Sequence, residues 1–590
     1  MQFLELSKYY DKLESTSSRL GMIDILKDTF KEADKDEIGK IIYITQGVLA
    51  PPFEGVEFGL AEKMAEEAIS IATGYRKESV NALYKKTGDL GTVAEQLVSE
   101  SKLRRMTARK YSVGEVYDSM LKISKSSGAG SKNIKVKTLA DMIASSTPLE
   151  ARYIVRYPLG ELRMGVGDAT ILEALSVAFT GGRALKQELE HAYNICSDLG
   201  LVGTTLMSKG PPGIKAFKVS IFKPIRPALA ERLPTAEEIL EKMHNKAAIE
   251  QKYDGFRCQV HRKGREVRLY SRRLENITEM FPDIVHSALV ELKPDSFILE
   301  GEALGFNEAT NEFMPFQETM QRKRKHGIEE KKIEIPLHLF AFDLMYLDGK
   351  DYLNEPYEKR REALEKVVAG AKTIVPSTRI ITSSPKELER FFEDSIEKGL
   401  EGIVAKDLNS PYIAGARKFS WIKMKRSYMG KLSDTIDVVI VGYYLGHGSR
   451  SEFQFGGLLC AVYNKKRDMF ETVSRLGTGF TEKQMSELKS LLDKSRVKSK
   501  PARVDSLIEP DFWVLPKYVV TVKADEITKS PTHTCGREKH EGDEFGYALR
   551  FPRLVGEEAV RADKSIEDST TTEEIIEMYK NQKRVRIEEK

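Results

Sequence analysis

The hydrophobic period of this chain changes once, between residues 222 and 246, and that switch restricts the architectures open to it. Before the switch, apolar residues recur at helical spacing, cleanly in LAEKMAEEAISIA (60–72) and less so over 80–97. Two glycine-bearing segments, SSGAGSKNIKVK (126–137) and LRMGVGDAT (162–170), interrupt the helical pattern. The stretch FKPIRPALAERLP (222–234) carries three prolines and reads as a linker. Beyond it come short β-type runs: AAIEQKY (247–253), FILEGEAL (297–304), LHLFAFDLMYL (337–347), EGIVAKD (401–407) and FSWIKMK (419–425). From Lys431 the strands DVVIVGYYL (437–445), LLCAVYN (458–464) and YVVTVKADEI (518–527), interrupted by a helix near 481–493, read as a small β-barrel. A charged helix from Thr572 closes the chain.

These patterns, over 590 residues, exceed what one core holds and predict a multidomain protein. An all-α domain is expected over 1–222, an α+β domain over 223–430, and a β-barrel domain of the OB type over 431–590 with its terminal helix. With 93 basic and 89 acidic residues the net charge is +4, so any surface for nucleic acid must come from local clustering. The cysteines Cys196, Cys258, Cys460 and Cys535 are widely separated, which argues against a disulfide framework and a four-cysteine zinc site. The N-terminus MQFLELSKYYDKLE is charged, and no apolar run approaches the roughly 18 residues that span a bilayer. A cytoplasmic, unexported monomer with no membrane contact is expected.

The chemistry centres on Lys252-Tyr253-Asp254-Gly255, followed by Arg257. A lone K-x-D-G is a weak signal, more often just a surface lysine before a turn. Its setting is better: strand alternation puts Glu250, Lys252 and Asp254 on one face, and Gly255 permits a tight backbone path. In FSWIKMK the same alternation puts Lys423 and Lys425 on one face, backed by Ile422 and Met424.

The K-x-D-G-x-R element resembles motif I of the covalent nucleotidyltransferases, the superfamily of DNA ligases, RNA ligases and mRNA capping enzymes. Later motifs of that superfamily follow in order: Ser271-Arg272-Arg273, Glu300-Gly301-Glu302, Phe342-Asp343, Glu401 to Lys406, Trp421 to Lys425, and Arg561-Ala562-Asp563-Lys564. The resemblance implies that Lys252 attacks the α-phosphate of ATP, releases pyrophosphate and carries AMP as a phosphoramidate. A nucleophilic lysine must be neutral, so neighbouring cations or metal are expected to lower its pKa. Arg257, Arg272, Arg417, Lys423 and Lys425 are expected to clamp phosphate, and Arg561 and Lys564 to close on the leaving pyrophosphate. Glu302 and Glu401 would hold Mg2+ through oxygen ligands. Phe342 would stack on adenine, and Glu250 would accept a hydrogen bond from its amino group, favouring ATP over GTP. For Glu302, Glu401 and Phe342 taken singly, surface carboxylates and a core ring are the plainer readings.

The substrate rests on the flanks. The helical region and RYIVRYPLGELRMGVGDATILEAL (152–175) resemble the DNA-binding domain of archaeal and eukaryotic replicative ligases, implying nicked double-stranded DNA as acceptor. Lys132, Lys135 and Lys137 beside the SSGAGSK loop, with KLRRMTARK (102–110) and QRKRK (321–325), are candidates for phosphate contacts, although charge runs are usually solvated faces. The stretch SESKLRRMTARKY lacks the paired aromatics of a sliding-clamp peptide. His533, Cys535 and His540 look like an incomplete zinc set. Two alternatives stay open: an RNA-directed nucleotidyltransferase, and a non-catalytic DNA-binding scaffold.

Overall fold

The computed structural model describes all residues except 17, 102–108, 129, 308–311, 314–318, 320–321, 323–334, 399, 426–434, 446–454, 525, 541–542, 557 and 589–590. Most of the two basic clusters at 102–110 and 321–325, and most of the clamp-peptide stretch, lie outside the described residues.

Helices fill the first part of the chain, from Phe3–Ser15 to Leu199–Lys215, around one large apolar cluster. Local chemistry sets their ends. Ser112 and Thr147 each form a capping box with the glutamate three residues on. The weak pattern over 80–97 is two helices, Lys77–Thr87 and Leu90–Glu100, split at Gly88 and restarted by the Asp89 cap. The interruption expected over 126–137 is shorter than the sequence suggested, because Ser131–Ser145 is helical. Lys135 on that helix is buried and donates to the carbonyls of Phe58 and Gly59, and Lys132 pairs with Glu67 at 3.1 Å.

The proline-bearing connection is held in place rather than loose. Gln259 bonds both backbone groups of Ile225, donating to its carbonyl at 2.6 Å and accepting from its amide at 2.9 Å. His261 Nδ1 accepts from the Phe222 amide at 3.0 Å, and burial drives the pKa of that ring down to about 3. The connection then becomes a strand, Leu229–Arg232, at the edge of the next sheet.

Two sheets form the central region. We label β1 (Leu229–Arg232), β2 (Ala247–Lys252), β3 (Phe256–Lys263), β4 (Glu266–Ser271), β5 (Ser296–Asn307), β6 (Leu337–Leu347), β7 (Arg379–Thr382), β8 (Gly402–Asp407) and β9 (Arg417–Lys425). One sheet runs β1-β9-β8-β2-β7, and the other runs β4-β3-β5-β6 with short strands added. The chain crosses from the first to the second at Tyr253-Asp254-Gly255. A Cβ on Gly255 would lie 2.4 Å from the Ala303 carbonyl oxygen, so only glycine fits that crossing.

The C-terminal part is built on an eight-stranded sheet and a separate three-stranded one, with helix Glu482–Lys494 between strands. The single run expected over 518–527 divides into Val519–Lys523 and Glu526–Ser530, which belong to different sheets. The terminal helix spans Thr572–Glu588. Among the described residues no helix is long and apolar enough to cross a membrane.

Candidate active site

Register aligns the site. Gly402 of β8 pairs with both Lys252 and Lys425, and Val404 pairs with both Glu250 and Lys423. Directly paired residues share a sheet face, so the four charged side chains expected in the cleft do lie together. A Cβ on Gly402 would sit 2.1 Å from the Met424 carbonyl oxygen, which keeps that row of the floor bare.

Glu401 ties the row together. Lys252 Nζ donates to its Oε2, and Lys425 Nζ donates to its Oε1 at 2.9 Å. Burial alone would raise the Glu401 carboxyl, but the two ammonium groups hold it well below the usual carboxylate range. For Lys252 burial works downward, yet Glu401, Glu302 and Asp254 outweigh it and keep the amine above its ordinary pKa. The ligand-free cleft therefore does the opposite of what the sequence reading expected of its nucleophile. Three nearby carboxylates, not cations, dominate its field. Lys425 is the reverse case, lowered to about 8 by burial and by the charge of Lys252. The Lys423 ammonium, pushed well down by burial, has no hydrogen-bond or ion-pair partner among the described residues.

The second sheet forms the facing wall. Glu302 pairs across β3 with Arg257 and across β6 with Phe340. Burial raises its carboxyl to about 7, and it has no hydrogen-bond or ion-pair partner among the described residues. An acid left uncompensated beside Lys252 suits a cation, so Glu302 fits Mg2+. Among the described residues no group of three or more His, Cys, Asp or Glu is placed to hold a metal. Of the incomplete zinc set, the side chain of His540 lies outside the described residues, while His533 and Cys535 are buried. Burial lowers the His533 ring to about 4 and pushes the Cys535 thiol up.

Arg257 is more anchored than expected. Its guanidinium grips Glu300 with two bonds at 2.7 and 3.0 Å and donates to the Ala228 carbonyl at 2.7 Å. It lies 5.5 Å from the ring centres of both Phe342 and Trp421. Phe342 is half-buried and meets Trp421 edge-on at 5.8 Å. Glu250 is buried, and its carboxylate accepts from Tyr357 and from Ser377 at 3.0 Å, with Lys406 at 3.1 Å and Arg361 at 3.5 Å. An adenine amino group would have to share those oxygens.

The C-terminal part closes over this cleft. Arg561 bonds Asp563 through two contacts of 2.7 Å and lies 3.8 Å from Asp437, which also pairs with Lys564. The charge of Arg561 reaches Asp254 and Glu401, and that of Lys564 reaches Lys425. Arg272 sits 3.4 Å from Asp568, and Arg273 donates to the Lys564 carbonyl. Arg417, expected to clamp phosphate, is paired at 2.7 Å with Glu574 at the start of the terminal helix. Sequence reading placed Glu300 and Lys406 inside motifs without giving either a role, and it did not single out Asp437 or Glu574. Lys406 had a signal, a lysine alternating with Gly402 and Val404 in an otherwise apolar strand. The others depend on residues distant in sequence.

The cleft gathers a strand-end lysine, buried carboxylates and further cations between two sheets. Comparison with known proteins agrees over most of the chain. Residues 2–176 match the DNA ligase N terminus family, 227–425 the ATP dependent DNA ligase domain, and 451–564 the ATP dependent DNA ligase C terminal region. A probable DNA ligase of Dictyoglomus turgidum is 47% identical, covering 100% of this chain and 99% of that protein. A DNA ligase of Saccharolobus solfataricus is 42% identical, covering 100% and 99%. Among solved structures, a mycobacterial DNA ligase D complexed with ATP and MES is 25% identical, covering 58% of this chain and 97% of that one, with a TM-score of 0.33. The chain belongs to the ATP-dependent DNA ligase family. It is an enzyme that joins nicked DNA at the expense of ATP, with the Mg2+ requirement general to that family.

Proposed function

We propose that Lys252 is the nucleophile of this ligase and that the residues around it divide the work as follows. The neutral amine of Lys252, formed when its ammonium releases a proton to water, bonds through Nζ to the α-phosphorus of ATP while the α–β bridging P–O bond breaks, and the second proton leaves with the pyrophosphate. Lys425 and Lys423 face the α-phosphate from the same sheet and stabilise its developing charge. Arg561 and Lys564, carried by the C-terminal part, neutralise the departing pyrophosphate, and Arg272 with Arg417 borders that path. Phe342 and Val404 bound the base, and Glu250 accepts from its amino group. Mg2+ held by Glu302, later joined by Glu401, would offset the carboxylate field on Lys252 and so favour its neutral form. AMP then passes to the 5′-phosphate at a nick, and the 3′-hydroxyl displaces it.

The domains assigned to this cycle are a DNA-binding domain over 1–222, an adenylation domain over 223–430 and an OB-type barrel over 431–590. The barrel swings away after adenylation to admit DNA. The protein acts as a cytoplasmic monomer on nicked duplex, and any sliding clamp is engaged by a peptide other than SESKLRRMTARKY. The observation that carries the reading is the row Lys252–Glu401–Lys425 at the end of β2. Radiolabel from ATP on the α-phosphate should appear on the wild-type chain and transfer to nicked DNA. A covalent adduct that survives Lys252→Ala sinks the assignment.

A further inference from the structure

The third row of the cleft floor holds a group with no role in the chemistry above. Lys406 pairs in register with Ala248 and Trp421, one row beyond Glu250–Val404–Lys423. Its side chain is 1% exposed. The ammonium sits among three rings, 4.3 Å from the centre of Trp421, 4.8 Å from Phe342 and 5.1 Å from Tyr357. It donates to the Phe342 carbonyl at 2.8 Å and lies 3.1 Å from Glu250 Oε2. Arg361, Tyr357 and Ser377 also hold Glu250, but none of them has a hydrogen bond to the residue that stacks on the base.

A buried ammonium is costly unless its protons are used, and an apolar strand offers cheaper ways to fill the volume. Here its protons tie together two parts that must agree within a fraction of an ångström for a base to be read. One is the acceptor Glu250, on the first sheet. The other is the backbone that sets the plane of Phe342, on the second. We propose that Lys406 is a positioning residue for base selection, fixing the Glu250 carboxylate relative to the Phe342 ring so that a purine carrying a 6-amino group is preferred. The proposal rests on the reading of Glu250 and Phe342 as the base site. Lys406 does not touch the reacting phosphorus, so it acts on which nucleotide binds rather than on the bond made.

The test compares self-adenylation with ATP and with purine riboside 5′-triphosphate, which has hydrogen in place of the amino group. A charged acceptor for that amino group gives wild-type protein a preference for ATP of about tenfold or more. Lys406→Met should lose most of that preference while leaving the rate at saturating purine riboside triphosphate close to wild type. Lys406→Arg keeps the cation and its donors but in a larger planar fork that cannot hold the two acceptors at the same spacing, so its preference should fall by a smaller factor. A preference equal to wild type in whichever variant folds, with both nucleotides weakened alike, makes Lys406 merely structural and overturns the proposal. Wild-type protein that accepts the two triphosphates equally overturns the base-site reading and this proposal together. Preference that survives Lys406→Met overturns this one alone.

Discussion

Replacing Glu401 by glutamine should make Lys252 easier to deprotonate. The amide keeps the shape of the side chain and an acceptor for Lys425, but it removes the anion that Lys252 Nζ contacts. A unit charge about 4 Å away at an effective dielectric of about 20 favours the ammonium by about 4 kcal/mol, or about three pKa units. The Lys252 side chain is 25% exposed, and Glu302 and Asp254 continue to act on it. Screening therefore reduces the expected change to about one unit or somewhat more. The sign follows from the wild-type direction. Its amine is held above the ordinary value, so it stays protonated to higher pH, and Glu401→Gln moves that titration down. Competitive labelling of amines on ligand-free protein across an alkaline pH series, read by mass on the Lys252 peptide, measures the shift without catalysis. A midpoint that stays put or moves upward refutes the account of what holds the charge on this lysine.

Glu302, raised to about 7 by burial, should make divalent-ion binding weaken as pH falls through neutrality, because the proton competes for the same carboxylate. Since its folded pKa is raised, its contribution to stability is full below the unfolded carboxyl value and is lost as pH rises toward about 7. Ligand-free Glu302→Gln should lack that loss in a series of thermal melts. Breaking the buried Arg417–Glu574 pair with Glu574→Gln leaves Arg417 without its partner, a change worth about 3–5 kcal/mol. The C-terminal part should then dwell farther from the cleft. Scattering should give a larger radius of gyration, and adenylation by ATP should slow more than sealing of a pre-adenylated nick. Gly255→Ala forces a Cβ against the Ala303 carbonyl oxygen and should lower stability by about 1–3 kcal/mol in a denaturant titration.

Much of the cleft could be read from strand periodicity. The alternation in FSWIKMK put Lys423 and Lys425 on one face, and β9 places them beside Lys252 and Glu250. The ordered motifs pointed to Glu302, Phe342 and Glu401; the first two lie on strands of the second sheet, and Glu401 directly precedes β8 on the first. Pairings between distant segments were not readable. Arg417 looks like any strand-start arginine until a helix 157 residues later supplies Glu574. The sign of the Lys252 shift was missed for the same reason, since it depends on how many carboxylates the fold gathers, not on the K-x-D-G spacing. Prolines suggested a loose connection over 222–234, whereas Gln259 and His261 pin it from a neighbouring strand. The segment KNIKVK reads as loop beside its glycines, but Val136 is buried in the apolar cluster of the helical region and the helix wins.

The central claim is that Lys252 carries the nucleotide on its way to DNA. Protein incubated with ATP and digested should yield one peptide heavier by a single AMP, and fragmentation should place the added mass on Lys252. Adding nicked duplex should discharge that peptide and leave a sealed strand. An adduct on any other residue, or one that forms on Lys252 but is not discharged by nicked DNA, contradicts the account.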